Sequence, residues 1–418
     1  MAPQANSIPQ ELRATLWSAH VPEPPPLDGI TILDLSTIVS GGTTTSILAD
    51  FGARVIKVEN PQGGDPLRAW APMKDGVSLW WKVLSRNKQS ITLNLRDPRG
   101  QHLTRDLAAW ADVVVENFRP GTLERWNLGY DALSAVNPRL VMVRISGFGQ
   151  TGPNRDRPGF GTVAEAMSGF VALSGFPDGP PLLPPMPLAD EVAGLFGATA
   201  AMMALYHRDR GDGRGQVIDL SLYEPLFRLL IPHIPQYTLL GEAQPRVGNR
   251  FPGAAPRNLY RARDGWVALS ATTQRTFERL AQTMGRPDLL GDPRFADNAG
   301  RLAHVEALDA IIQEWMGTWP LDDLLRRLQE AGAIAGPVYD VRRILADPQF
   351  AARGDVVTVE DGEVGAIPMP GVIPTFSRTP GRIAHAGPRL GEHNEAVYGG
   401  LLGLDAEAQA TLAREGVI

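Results

Sequence analysis

Two acids open a run of small residues in Leu188-Ala189-Asp190-Glu191-Val192-Ala193-Gly194. Carboxylates can serve as nucleophiles, but an aspartate at a helix start is in the first instance an ordinary cap, and by that logic alone Asp190 reads as one. Glu191 reads as favourable first-turn charge near the helix dipole. Cations gather at two further places, Arg86-Asn87-Lys88 before one apolar run and Asn117-Phe118-Arg119-Pro120-Gly121 after another, with Arg125 beyond. Arginine and lysine beside an aromatic ring suit a phosphorylated ligand carrying an adenine, through charge-assisted contacts and stacking. Taken singly, Arg86 or Arg96 reads as a solvated basic rim.

Other chemistries lack their residues. The seven histidines are scattered without HExxH, so no metal site is expected. GxSxG and GxxxxGK[ST] are both missing. Gly41-Gly42 and Glu59 mimic a dinucleotide-binding layout, but GxGxxG is not there. Nicotinamide binding stays a distant alternative and Glu59 reads as a solvated strand end. With no cysteine, disulfides and thiolate chemistry are excluded. The formal net charge of -6 advertises neither nucleic acid nor an anionic membrane, so local cations must hold any anionic ligand. The first residues show no signal-peptide pattern or membrane-length apolar span, and a cytoplasmic protein is expected. Residues 22–26 read as a stiff leader whose preceding residues pack loosely or against a partner.

The elements that must position these groups alternate. Residues 31–38 (TILDLSTI) read as a strand, followed by Ser40-Gly41-Gly42-Thr43, an apolar helix, and a second strand, RVIKVE. The pattern recurs in SITLNL, RGQHLTRDLAAW, DVVVEN and LVMVRISGFG, which argues for an α/β fold with a doubly wound, Rossmann-like parallel sheet. Ligands then belong at strand carboxyl ends, where Ser40, Asn117 and Ser146 fall. Length and 43% hydrophobic content allow more than one domain. The expected division is an extension at 1–27, the first part of a large domain at 28–224, a small domain of different texture at 225–330, and a return to the large domain at 331–418.

Several strings together resemble the family III CoA-transferases: ILADFGARVIKVENPQGGDPLR, SRNKQSITLNLRDPRG, VVENFRPGTLERWNLGYDAL, SGFGQTGP followed by RPG, LADEVAGLFGATAAMMAL, GRGQVIDLSLYE, and AGPVYDVRRILADPQFAARG with PRLGEHN. The resemblance implies a large α/β domain, a small middle domain and two interlocked subunits. It also implies transfer of CoA between an acyl-CoA thioester and a carboxylic acid, with no permanently bound cofactor. CoA would lie near Val39, Ser40, Lys88, Asn117, Phe118, Arg119 and Arg125, with the thioester closer to Ser146 and Gly147. Val39 and Asn60 stand where other members show different side chains, so contacts there would be through backbone. The family's aspartate nucleophile maps onto Asp190.

One departure stands upstream. Where members often carry an acidic residue and a glutamine after RPG, this chain has Gly161 and Glu165. If the segment is helical, positions i and i+4 share a face, and Glu165 is expected to point towards the space above Gly161 as a supporting carboxylate. Two alternatives stay open. One is a CoA-binding subunit of a heteromeric transferase. The other is an acyl-CoA racemase, against which Phe160 counts because the resembling racemases have a histidine there.

Overall fold

The computed structural model describes residues 23–418, so most of the expected extension at 1–27 lies outside the described residues. Six strands form one parallel sheet: β1 Thr31–Asp34, β2 Arg54–Glu59, β3 Lys88–Thr92, β4 Val113–Glu116, β5 Val141–Ser146 and β6 Val217–Ser221, in the order β3-β2-β1-β4-β5-β6. The order reverses between β1 and β4, which puts the ligand crevice at their carboxyl ends. β1 is shorter than the expected 31–38. The Asp34 carboxylate accepts the Ser36 N–H at 3.0 Å and the Ser36 hydroxyl at 2.5 Å, turning the chain out of the ladder.

The two faces of the sheet differ. Leu33, Ile56, Val58, Ile91 and Val114 pack on helix α2 (Pro98–Trp110) and on Val397, Tyr398 and Val417 near the chain end. With period-two alternation the opposite face carries polar residues, and parallel register sets Lys57 beside Asp34. Helix α1 (Ser40–Asp50) covers that face. Lys57 and Lys88 approach Asp34 at 3.5 Å and 3.3 Å, and Lys57 also reaches Asp65 at 3.1 Å, giving a buried cluster of balanced charge. Glu59, expected as a solvated strand end, is 2% exposed and bound by Arg68 at 2.7 and 2.8 Å. Arg86 is likewise no solvated rim, since it pairs with Asp50 at 2.6 Å.

Helix α3 (Gly161–Met167) precedes the 23-residue helix α4 (Leu188–Arg210). α4 is long and apolar enough to cross a bilayer, yet its small-residue face packs on α1 and β5. A Cβ on Gly194 would lie 2.5 Å from the Thr43 Cβ and 2.9 Å from the Ser40 carbonyl oxygen, so only glycine admits this close backbone approach. The Thr44 hydroxyl donates to the Gly194 carbonyl at 3.1 Å and locks the crossing.

The chain forms two compact units, the second comprising 170–183 and 232–347. In that unit β7 (Arg257–Arg261), β8 (Trp266–Ser270) and β9 (Ala335–Pro337) make an antiparallel sheet in the order β9-β8-β7. Helices α5 (Gln274–Thr283), α6 (Val305–Met316) and α7 (Leu321–Glu330) close its core around Phe277, Leu308, Ile312 and Leu324. These limits differ from the expected 225–330 for three physical reasons. The helix Glu224–Arg228 buries Pro225 and Leu226 in the first unit, where it packs on α4. β9 zips onto β8. Arg246 binds the carbonyls of Phe176 and Gly179 at 3.3 and 2.8 Å, drawing 170–183 into the second unit. Residues 348–418 belong to the first unit. There the strands β10 (Val356–Asp361) and β11 (Gly365–Pro370) form a hairpin. His393 and Asn394 accept the Ser90 and Thr92 N–H groups at 3.2 and 2.9 Å, covering the outer edge of β3.

Candidate active site

The α1–α4 crossing at Gly194 sets the first turn of α4 beside the first turn of α1, because four residues of helix span only about 6 Å. Asp190 and Glu191 sit in that turn. Glu191 does more than complement the dipole: its carboxylate accepts the Thr43 hydroxyl at 3.0 Å, tying the two helices together. Burial raises the Glu191 pKa, and the Thr43 bond partly offsets the rise.

Asp190 is half-buried and faces α3. A Cβ on Gly161 would lie 2.2 Å from Asp190 Oδ2 and 3.3 Å from its Cγ, so the carboxylate occupies the space a side chain at 161 would need. The expectation that Glu165 fills that space is therefore corrected. Glu165, 3% exposed, turns to the start of α4 and accepts the Ala189 N–H at 3.3 Å. The reason is the row of helix-start N–H groups with no partner inside the helix, which attracts a carboxylate. Burial pushes the Asp190 carboxyl up to about 6, with repulsion from Glu165 and then Glu191 adding to it, while the nearby Ser40 hydroxyl works the other way. A carboxylate near pKa 6 is ionised at neutral pH and more basic than an exposed aspartate, which favours nucleophilic attack.

Ser40 is joined to the rest of the site through Asn117. The Asn117 amide donates to Ser40 Oγ at 3.4 Å and brackets Thr37, accepting its N–H and donating to its carbonyl, each at 2.8 Å. Val39 is 1% exposed, so its side chain belongs to the core. Next to this turn a cleft of about 330 Å³ opens at the strand carboxyl ends. Leu35, Val58 and Leu93 form its apolar floor, Phe118 and Trp126 a wall, and Asn60 and Arg96 part of its rim. The Phe118 and Trp126 rings meet edge to face with centroids 5.3 Å apart. Arg119 and Arg125 are exposed beyond β4. Ser146 Oγ is buried with no hydrogen-bond partner among the described residues, and Gly147 follows it at the end of β5.

Lys88 does not join this group. It is 0% exposed, donates to the Gly42 carbonyl at 2.9 Å and pairs with Asp34 at 3.3 Å. Burial lowers its pKa against the pull of Asp34. Its strand alternation directs it under α1, away from the strand ends, so it braces the β1–α1 region from inside. No group of three or more metal-ligating side chains occurs among the described residues.

Residues 27–394 match the model of CoA-transferase family III. The chain belongs to this family. Succinyl-CoA–D-citramalate CoA-transferase of Chloroflexus aurantiacus is 45% identical over 397 residues, covering 94% of this chain and 98% of that one. The succinyl-CoA–L-malate CoA-transferase beta subunit of the same organism is 41% identical over 398 residues, covering 94% and 98%. The crystal structure of a CAIB/BAIF family protein from Brucella suis superimposes with a TM-score of 0.82 at 35% identity, covering 91% of this chain and 100% of that one. The chain is a CoA-transferase, and a CoA thioester is its substrate.

Four members of the site escaped the reading of this family III sequence. Thr37 and Trp126 carry no distinguishing local pattern. Asp65 had a signal in GGDP, an aspartate before proline at a helix start, where it caps Leu67 N–H at 2.9 Å. Thr43 becomes visible only once α1 meets α4.

Proposed function

We propose that this CoA-transferase works through Asp190 as the nucleophile. The observation that carries the reading is the Asp190 carboxylate itself, half-buried at the start of α4, set in the space left by Gly161 and raised to about 6. A carboxylate oxygen of Asp190 attacks the thioester carbonyl; the C–S bond breaks, CoA leaves as a thiolate, and a mixed anhydride remains. The thiolate attacks the Asp190 carbonyl of the anhydride, releasing the donor acid and forming an enzyme thioester. The acceptor carboxylate attacks that thioester to give a second anhydride, and CoA thiolate returns to the acceptor's carbonyl, freeing Asp190. Each step exchanges one carboxylate for one thiolate, so no net proton transfer is required. Glu165 keeps the start of α4 in place and its charge keeps Asp190 basic.

The nucleotide portion of CoA fits the cleft walled by Phe118 and Trp126, with Arg119 and Arg125 available to its phosphates. The unpartnered Ser146 hydroxyl supports a place for the thioester end near Ser146 and Gly147. The names of the relatives point to succinyl-CoA as donor and a small dicarboxylate as acceptor. An interlocked homodimer is supported by α4, whose outer face exposes Leu195, Met202, Met203 and Tyr206 along one stripe. A relative that is one subunit of a pair favours a heteromer as the second reading.

The test is to incubate the purified chain with succinyl-CoA and hydroxylamine, digest it and map the adduct by mass. A hydroxamate at Asp190 is expected, and an active preparation labelled elsewhere overturns the assignment. Transfer to a panel of dicarboxylates by the chain alone separates the homomeric enzyme from a passive subunit.

A further inference from the structure

The turn between β1 and α1 holds a backbone conformation that its residue disfavours. Ile38 has φ of 62°, in the left-handed region, where a β-branched side chain is an outlier that persists only if its surroundings impose it. Three groups impose it here. Asn117 grips both backbone polar groups of Thr37 at 2.8 Å. Lys57 donates to the Ser36 carbonyl. Asp65 accepts the Ile38 N–H itself, at 3.1 Å through Oδ1 and 3.3 Å through Oδ2.

Asp65 is built for this task. It is 3% exposed, its Oδ2 is 3.1 Å from Lys57 Nζ, its Oδ1 also accepts the Leu67 N–H at 2.9 Å, and its own N–H donates to Glu59 at 3.0 Å. With Gly64, Pro66 and Thr37 it also lines the cleft beside Phe118. Two residues after Ile38 comes Ser40, whose carbonyl oxygen would lie 2.9 Å from a Cβ on Gly194, one helical turn after Asp190 in α4. A single carboxylate thus touches the cleft wall on one side and, on the other, the turn that delivers Ser40 to Asp190.

We propose that Asp65 is a positioning residue for CoA transfer: by holding Ile38 in its left-handed conformation it fixes the turn that presents Val39 and Ser40 to the thioester and to Asp190. The proposal rests on Asp190 being the nucleophile. It accounts for a buried aspartate whose shape a hydrophobic residue could fill but whose acceptor atoms the Ile38 amide requires. It also explains why an unfavourable backbone conformation sits two residues from Ser40.

Glycine adopts positive φ without strain, so Ile38→Gly removes the backbone strain that the clamp holds in place. The experiment compares the loss caused by Asp65→Ala in the wild-type protein with the loss in the Ile38→Gly background, measuring kcat, KM for succinyl-CoA and the rate of hydroxylamine-trapped adduct formation. In the wild-type background, kcat and adduct rate should fall about 30-fold, as a misplaced reacting group does, with KM changed much less. In the Ile38→Gly background the same replacement should cost about 3-fold or less, a non-additivity expected of coupled neighbours. Equal losses in the two backgrounds, or a wild-type rate for Asp65→Ala, overturn the proposal. Should Asp65→Ala fail to fold, Asp65→Leu, which fills the space but offers no acceptor, is compared in the same two backgrounds with the same criterion. An adduct that maps away from Asp190 in the wild-type enzyme refutes the nucleophile assignment instead, and the background dependence of kcat still decides the role of Asp65.

Discussion

Replacing Asp190 with asparagine should abolish transfer and, above pH 6, make the protein more stable. Burial first, then Glu165 and Glu191, raise the Asp190 carboxyl from 3.8 to about 6 in the folded protein. A difference of roughly two units, at about 1.36 kcal/mol each, makes the ionised side chain unfavourable in the folded state by about 3 kcal/mol. Because the folded pKa lies above the unfolded one, the destabilisation is complete above about pH 6. It shrinks as pH falls from there towards 3.8 and disappears below that value. Asparagine carries no charge, but its buried amide offsets part of the gain, leaving about 2 kcal/mol at pH 7.5 and under about 1 kcal/mol at pH 4. Urea unfolding of both proteins at one concentration, followed by tryptophan fluorescence at the two pH values, measures the difference. Equal midpoints at pH 7.5, a gain that is the same at pH 4, or retained CoA transfer in the variant would each refute the reasoning.

Glu165→Gln removes one of the charges repelling Asp190 while keeping an acceptor for the Ala189 N–H, so the acid limb of kcat/KM should move to lower pH by about 0.5 unit in a pH–rate profile. Gly161→Ala places a methyl group 2.2 Å from the present position of Asp190 Oδ2. It should lower kcat about 10- to 100-fold with little change in KM for the acyl-CoA in steady-state assays, since misplacing a reacting group is costly without affecting nucleotide binding. On the proposed homodimer, Met203→Glu sets a charge in the exposed apolar stripe of α4 and should prevent assembly, giving single chains in sedimentation velocity.

These variants bring out how the carboxylates divide the work around α4. Three acids converge on its first turn, where ionised groups repel one another: Thr43 holds Glu191, the Ala189 amide holds Glu165, and Asp190 rests in the space left by Gly161. Burial first, and then repulsion from these neighbours, both unfavourable to the fold, lift Asp190 above an ordinary aspartate. Active sites commonly trade stability for chemistry in this way.

Alternation and glycine placement made the parallel sheet readable, because strand period, helix period and turn chemistry are local properties of a few residues. The ordered strings ENFRPG, SGFGQTGP and LADEVAG pointed to the family and to Asp190, since contacts to one ligand impose several side chains at once. What could not be read was which way a charge would face. Arg86 and Glu59 looked like solvent-exposed groups from their neighbours in sequence and Lys88 like a contact for CoA, yet Lys88 lies under α1 against Asp34, and Glu59 lies against Arg68. Their partners are 54 and 9 residues away, and the pairing depends on strand register and on a helix laid across the sheet. The space at Gly161 was legible as a missing side chain, but only the packing of α3 against α4 shows that Asp190 itself fills it. Sequence alone therefore determined the order of the sheet elements and the family, and it singled out Asp190 as the candidate acid. Tertiary structure decided which charges neutralise one another in the interior, that Ile38 is held at positive φ by Asp65, and where the Asp190 carboxylate rests, because those depend on distances between segments that no local pattern encodes.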